Sequence, residues 1–129
     1  MKIEHVAVWV DDPEKMRLFY QAYFDASCGN RYSNSKKGFT SYFLTFGDDK
    51  TRIELMSSAG TGDGPARRGF MKGLAHLAIS VGSREKVDSL TERLRSDNYT
   101  IESEPRTTGD GYYESVVLDP EGNRLEITV

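Results

Sequence analysis

Cysteine is almost absent: Cys28 is the only one in 129 residues. An internal disulfide and a thiolate-built zinc site are therefore excluded, and a lone thiol fits a reducing compartment. No histidine or second cysteine lies near it in sequence, so Cys28 reads as a structural thiol and not a reactive one. No apolar run approaches the roughly 20 residues that span a bilayer, so no membrane partner is expected. Excess positive charge is missing too. The net charge of −3 argues against nucleic acid as a partner. The opening Met1-Lys2-Ile3-Glu4-His5 enters a strand pattern without a charged-then-apolar leader, so a cytoplasmic location is expected. Histidine is scarce as well, with His5 and His76 alone, and that scarcity makes their positions informative.

What is present is the balance of a soluble globular chain, 37% hydrophobic and 29% charged, long enough for one compact domain or two half-domains sharing a core. Residues 3–10 alternate. Val6, Val8 and Val10 point one way, and Ile3, His5, Ala7 and Trp9 the other; both sets are largely apolar, which predicts a strand covered on both faces. Asp12 offers an N-cap and Pro13 a first helical position. Met16, Phe19, Tyr20, Tyr23 and Phe24 then form the stripe of an amphipathic helix. Residues 25–38 are polar, with a short edge strand expected near 30–34. Residues 39–46 predict a strand, Gly47-Asp48-Asp49-Lys50 a hairpin turn, and residues 51–56 the returning strand. Its Ile53 and Leu55 face opposite to Arg52, Glu54 and Met56. A glycine-rich linker, residues 59–73, carries the basic cluster Arg67, Arg68 and Lys72, either a solvated surface or an anion contact.

The pattern then recurs. Residues 74–81 lie over 3–10 at an offset of 71, with His76 on His5, Ala78 on Ala7 and Val81 on Val10. Ser83 caps a second helix whose stripe is Val87, Leu90 and Leu94. Strands are expected over 99–104, 112–118 and 124–129, with a turn at 107–111 and a hairpin loop at Asp119-Pro120-Glu121-Gly122-Asn123. Each copy reads β-α-β-β-β, which places modules at 1–58 and 74–129 and predicts one α+β domain made of both.

Both histidines occupy equivalent places in the two copies, and so do Glu54 and Glu126. Strand parity puts all four opposite the helix-facing apolar sets, Val6/Val8/Val10 with Ile53/Leu55 and Leu77/Ile79/Val81 with Leu125/Ile127. Four ionisable groups on a concave sheet surface are costly unless paired or metal-bound. Two imidazoles and two carboxylates suit a divalent ion: zinc, nickel or cobalt, with manganese and iron also admissible. An octahedral ion held this way keeps two positions for water or substrate. The plain alternative is four ordinary strand residues left by a duplication. Arg52 and Arg124 repeat on the same parity, either as partners of these carboxylates or as charges at the sheet's end.

Together, the paired modules, the histidine in each opening strand and the run Val116-Val117-Leu118-Asp119-Pro120-Glu121-Gly122-Asn123-Arg124-Leu125-Glu126 resemble the vicinal oxygen chelate superfamily over the whole chain. That group includes glyoxalase I, fosfomycin thiol transferases, extradiol dioxygenases and bleomycin-binding proteins. The resemblance implies two modules forming an open concave sheet or cleft. The set His5, Glu54, His76 and Glu126 is most similar to bacterial-type glyoxalase I. This implies metal-dependent lyase or isomerase chemistry, in which a chelated enediolate forms as a carboxylate moves the proton next to a carbonyl. Glu126 is then the base and Glu54 its symmetric partner.

Glyoxalase I carries an arginine four residues after the first histidine, where it helps hold the glutathione carboxylate; here that residue is Trp9. The departure points to a small-molecule substrate other than the glutathione adduct. Trp9, Arg52, Tyr113 and Arg124 are the candidate substrate-contacting residues. The same fold also admits Fe(II) dioxygenation, thiol transfer to an antibiotic, or non-catalytic antibiotic binding. Open concave sheets need covering, so a homodimer is expected, with the site inside one chain or across two.

Overall fold

The computed structural model describes residues 3–48, 50–62, 69, 73–109 and 111–129, and its elements fall into two compact units, Met1–Asp63 and Gly64–Val129. The linker cluster Arg67, Arg68 and Lys72 lies outside the described residues, as does Asp49 of the expected hairpin turn. Among the described residues no helix is long and apolar enough to cross a membrane. The architecture is α+β, with one helix against each of two mixed sheets.

Unit 1 opens with β1 (His5–Trp9). The Asp12 side chain then accepts from the backbone N–H groups of Glu14 and Lys15, both at 3.0 Å, and Pro13 starts α1 (Pro13–Phe24). The helix ends where Asp25 turns left-handed at φ 51°. Met16, Phe19, Tyr20 and Phe24 are buried from α1, against buried Tyr42, Leu44, Ile53 and Leu55 of the sheet. That sheet holds β2 (Ser27–Cys28), β3 (Tyr32–Asn34), β4 (Phe39–Thr45) and β5 (Arg52–Ser58). Its order is β1-β5-β4-β2, with β3 also on β4. β1 runs parallel to β5, and the other pairings are antiparallel.

Unit 2 repeats the plan with β6 (Leu77–Ser80), α2 (Arg84–Ser96), β7 (Ile101–Thr107), β8 (Tyr113–Leu118) and β9 (Arg124–Thr128), in the order β6-β9-β8-β7. β6 again runs parallel to β9. The second strand of the plan is continuous here as β7, whereas unit 1 splits it into β2 and β3 around the Gly29–Arg31 break.

Two expectations change. Outside its buried end at Val10, the first strand is half-covered on one face and open on the other: Val6 and Val8 are half-buried, while His5, Ala7 and Trp9 are exposed. Apolar residues on both faces of a strand permit burial but do not require it, and the uncovered face carries the histidine. In α2, Thr91 takes the fully buried place expected of Leu90, which is half-buried. The Thr91 hydroxyl lies 2.7 Å from both the Val87 carbonyl and the Ser115 hydroxyl, which removes the penalty for burying it.

Candidate metal centre

The open face of unit 1 can be laid out in rows from the strand register. One row is His5, Arg52 and Thr45; the next is Ala7, Glu54 and Phe43; the third is Trp9, Met56, Ser41 and Tyr32. His5 therefore stands one row before Glu54, and its Nε2 lies 3.8 Å from a Glu54 carboxylate oxygen. Unit 2 repeats the arrangement. Glu126 pairs with Ala78 on one side and Val116 on the other, and His76, two residues before Ala78, brings its Nε2 to 3.4 Å from the Glu126 carboxylate. Side-chain exposure is 39% for His5 and 15% for Glu54, against 41% and 17% for His76 and Glu126. The two pairs are thus equivalent in burial as well as in sequence position. Each glutamate stands between an alanine of the opening strand and a larger apolar residue of the next strand, Ala7 and Phe43 about Glu54, Ala78 and Val116 about Glu126.

The pairs fit the ligands of a divalent ion. At bond lengths of about 2.0–2.2 Å, neighbouring ligands on one ion lie about 3.0–3.5 Å apart. The 3.4 Å pair falls in that range and the 3.8 Å pair needs only a small closure. Both carboxylates are largely buried, and the ion pairs made by the nearest arginines go elsewhere, Arg52 to Glu4 and Arg124 to Glu102. Among the described residues no three or more His, Cys, Asp or Glu are grouped so as to hold a metal ion. Cys28 takes no part. Its thiol donates to the Gly29 carbonyl, and burial pushes its pKa up, away from the thiolate form.

Glu4 is a participant that strand parity does not reveal. Its carboxylate contacts Nδ1 of His5 on one oxygen and the Arg52 guanidinium on the other. Those two donors, His5 first, hold the Glu4 carboxyl below the usual glutamate range. A carboxylate on one ring nitrogen turns the other, Nε2, toward Glu54, which is the arrangement that orients metal-binding histidines. Phe43 completes the setting, edge-on to the His5 ring at 5.5 Å and beneath the Arg52 guanidinium at 4.0 Å. The sequence signal for Phe43 was its register opposite Glu54; Glu4 gave no periodic signal.

Among the other candidates, Trp9 and Arg52 share the open face with His5, and Arg124 shares that of Glu126. Tyr113 does not, and this corrects its expected place at a pocket edge. Its hydroxyl donates to Asp88 of α2 at 2.7 Å and Arg84 covers its ring, so it lies on the helix side of the sheet, with buried Ser115.

Comparisons with known proteins place the fold. A curated relative, the uncharacterized protein YqjT of Bacillus subtilis (strain 168), is 23% identical over 128 residues, 97% of this chain and 96% of its own. A solved glyoxylase/bleomycin resistance protein/dioxygenase domain from Frankia sp. EAN1pec superposes with a TM-score of 0.82 at 21% identity, covering 100% of this chain and 97% of that one. Glyoxalase I from Zea mays matches 98% of this chain at 22% identity and TM-score 0.75, and the match spans 44% of the maize chain. At these identities the likeness to the solved structures is one of fold. A family model covers residues 2–127, and the chain therefore belongs to the Glyoxalase/Bleomycin resistance protein/Dioxygenase superfamily.

Proposed function

We propose that the protein is a metal-dependent lyase or isomerase of the glyoxalase type, acting on a small α-hydroxycarbonyl compound. The observation that carries this reading is the duplicated half-site: a histidine and a half-buried glutamate at the same register in both units, with Arg52 paired to Glu4 and Arg124 to Glu102. In this reading His5, Glu54, His76 and Glu126 together hold one divalent ion, zinc, nickel or cobalt. When bound, the ion supplies two open positions for neighbouring substrate oxygens and stabilises negative charge developing on them.

The chain's own residues do the rest. Glu126 removes the proton from the carbon beside the carbonyl and returns it to the neighbouring carbon, with Glu54 as the symmetric carboxylate on the other side. Glu4 and Arg52 hold His5 in the orientation that presents Nε2. We further take the active form to be a cytoplasmic homodimer, since the histidine-bearing faces are open in the single chain.

Glu126→Gln tests the assignment. The amide keeps the shape of the side chain and can still ligate through its oxygen, but it cannot accept the proton. Bound zinc should be largely retained while methylglyoxal–thiol turnover falls by about 10²–10⁴. Unchanged turnover in the variant, beside an active wild type, would sink the role of Glu126. A ligand-dependent melting shift with no turnover in the wild type would identify a binding protein instead.

A further inference from the structure

The two open faces are alike at the His–Glu pairs and unlike one row beyond them. In unit 1 that row is Trp9, Met56, Ser41 and Tyr32. In unit 2 the matching row is Ser80, Thr128, Glu114 and Arg106, with Arg106 and Glu114 3.9 Å apart as an ion pair. One row is aromatic and the other polar and charged. Trp9 is 47% exposed and Tyr32 57% exposed, so neither ring is absorbed into the core of its unit. Both meet Phe39, Trp9 edge-on at 6.3 Å and Tyr32 at 6.0 Å. Phe39 thus joins the two rings into one aromatic cluster, and about half of each of the two residues remains open to a ligand.

Successive rows on a sheet face are about 7 Å apart. A compound with its oxygens at the level of His5 and Glu54 therefore reaches the aromatic row with one ring-sized substituent and falls short of it with a methyl group. We propose that the row Trp9–Met56–Ser41–Tyr32, backed by Phe39, receives a planar apolar group of the substrate, an aryl ring or its equivalent. The polar row of unit 2 gives no such group a surface. This inference rests on the reading that the His–Glu pairs hold substrate oxygens through an ion, and it assigns the substituent those oxygens carry.

Trp9 is the only tryptophan in the chain, so its emission reports on this row alone. Mandelate and lactate present the same neighbouring oxygens and differ in carrying a phenyl or a methyl group. Binding of each to the zinc-loaded full-length protein is measured by Trp9 fluorescence and by calorimetry, with and without EDTA, in wild type, Trp9→Ala and Tyr32→Ala. Mandelate should bind on the order of tenfold more tightly than lactate and quench Trp9. The mandelate-to-lactate ratio should fall toward one in both variants. Equal binding of the two acids, no binding of either, or a ratio preserved in both variants overturns the proposal. So does conversion of a dimer to a monomer by Trp9→Ala and Tyr32→Ala, which would make the row a contact with a second copy. EDTA separates the two readings. Loss of lactate binding on chelation, with no phenyl preference before it, leaves the ion site standing and removes the aromatic row. A Trp9-dependent preference indifferent to EDTA keeps the row and removes the ion from substrate binding.

Discussion

His5 and His76 occupy the same place in two copies of one unit, yet they are supported differently. His5 has Glu4 behind it, shared with Arg52, whereas the residue before His76 is Ala75. Glu4→Gln should therefore weaken zinc binding by about 10–100-fold while the fold stays intact, measured by competition with a chromophoric chelator. Zinc bound as tightly as in the wild type would leave Glu4 a surface charge. The histidines and glutamates were legible because parity and repetition both marked them. Glu4 was not legible, because alternation sends neighbouring strand residues to opposite faces. It escapes that rule by standing just before β1 begins at His5, where its side chain can fold back. Tyr113 shows the converse limit. The expected strand over 112–118 left its parity unsettled, and only its bond to Asp88 places it beside α2.

At the scale of elements, the hairpin loop before β9 shows what its sequence signature does physically. One Asp119 oxygen accepts from the backbone N–H groups of Glu121 and Asn123 at 3.0 and 2.9 Å, and the other accepts from the Asn123 amide at 2.8 Å. Gly122 takes the left-handed turn at φ 80°. Asp119 is 4% exposed, so replacing it removes three hydrogen bonds from a part-buried loop. Asp119→Ala should cost about 2–3 kcal/mol in denaturant unfolding and loosen the strand that presents Glu126. A loss under about 0.5 kcal/mol would remove the loop from that role.

The first helix makes a different tie, through Glu14, which accepts from the Tyr42 hydroxyl of β4 at 2.8 Å. Arg17 and then Tyr42 lower the Glu14 pKa from its ordinary 4.5. Its stabilisation is present above that value and is lost as pH falls through the lowered folded one. Glu14→Gln should therefore differ from wild type at neutral pH and converge with it as the pH falls through the lowered carboxyl range, read from denaturant midpoints. Helix existence was legible from caps and periodicity. The burial of Thr91 in place of Leu90 was not, since a threonine in a core depends on a partner such as Ser115, 24 positions away.

For the whole molecule, the repeat made the fold legible from one sequence: each module's order of elements could be checked against the other. The splitting of unit 1's second strand escaped, because residues 25–38 are polar and pair through β4. If each unit supplies half of one metal site, His5→Ala and His76→Ala should each abolish tight metal binding. Unfolding and refolding the two variants together then locates the site. In a symmetric dimer with sites built across chains, half the dimers are mixed and hold one intact site of two, restoring about a quarter of wild-type activity. Sites built within one chain restore none.

β1, which begins at His5, and β6, which begins just after His76, each stand at the edge of their sheet. A strand edge offers unpaired backbone groups to any other strand, and proteins usually blunt it with lysine, proline or a bulge. Neither His-Val-Ala-Val-Trp nor Leu-Ala-Ile-Ser contains lysine or proline. The residues that serve chemistry occupy positions where guards against self-association would otherwise sit. Solubility is therefore tied to whatever covers these edges, and damage to the site should register as aggregation as readily as lost turnover.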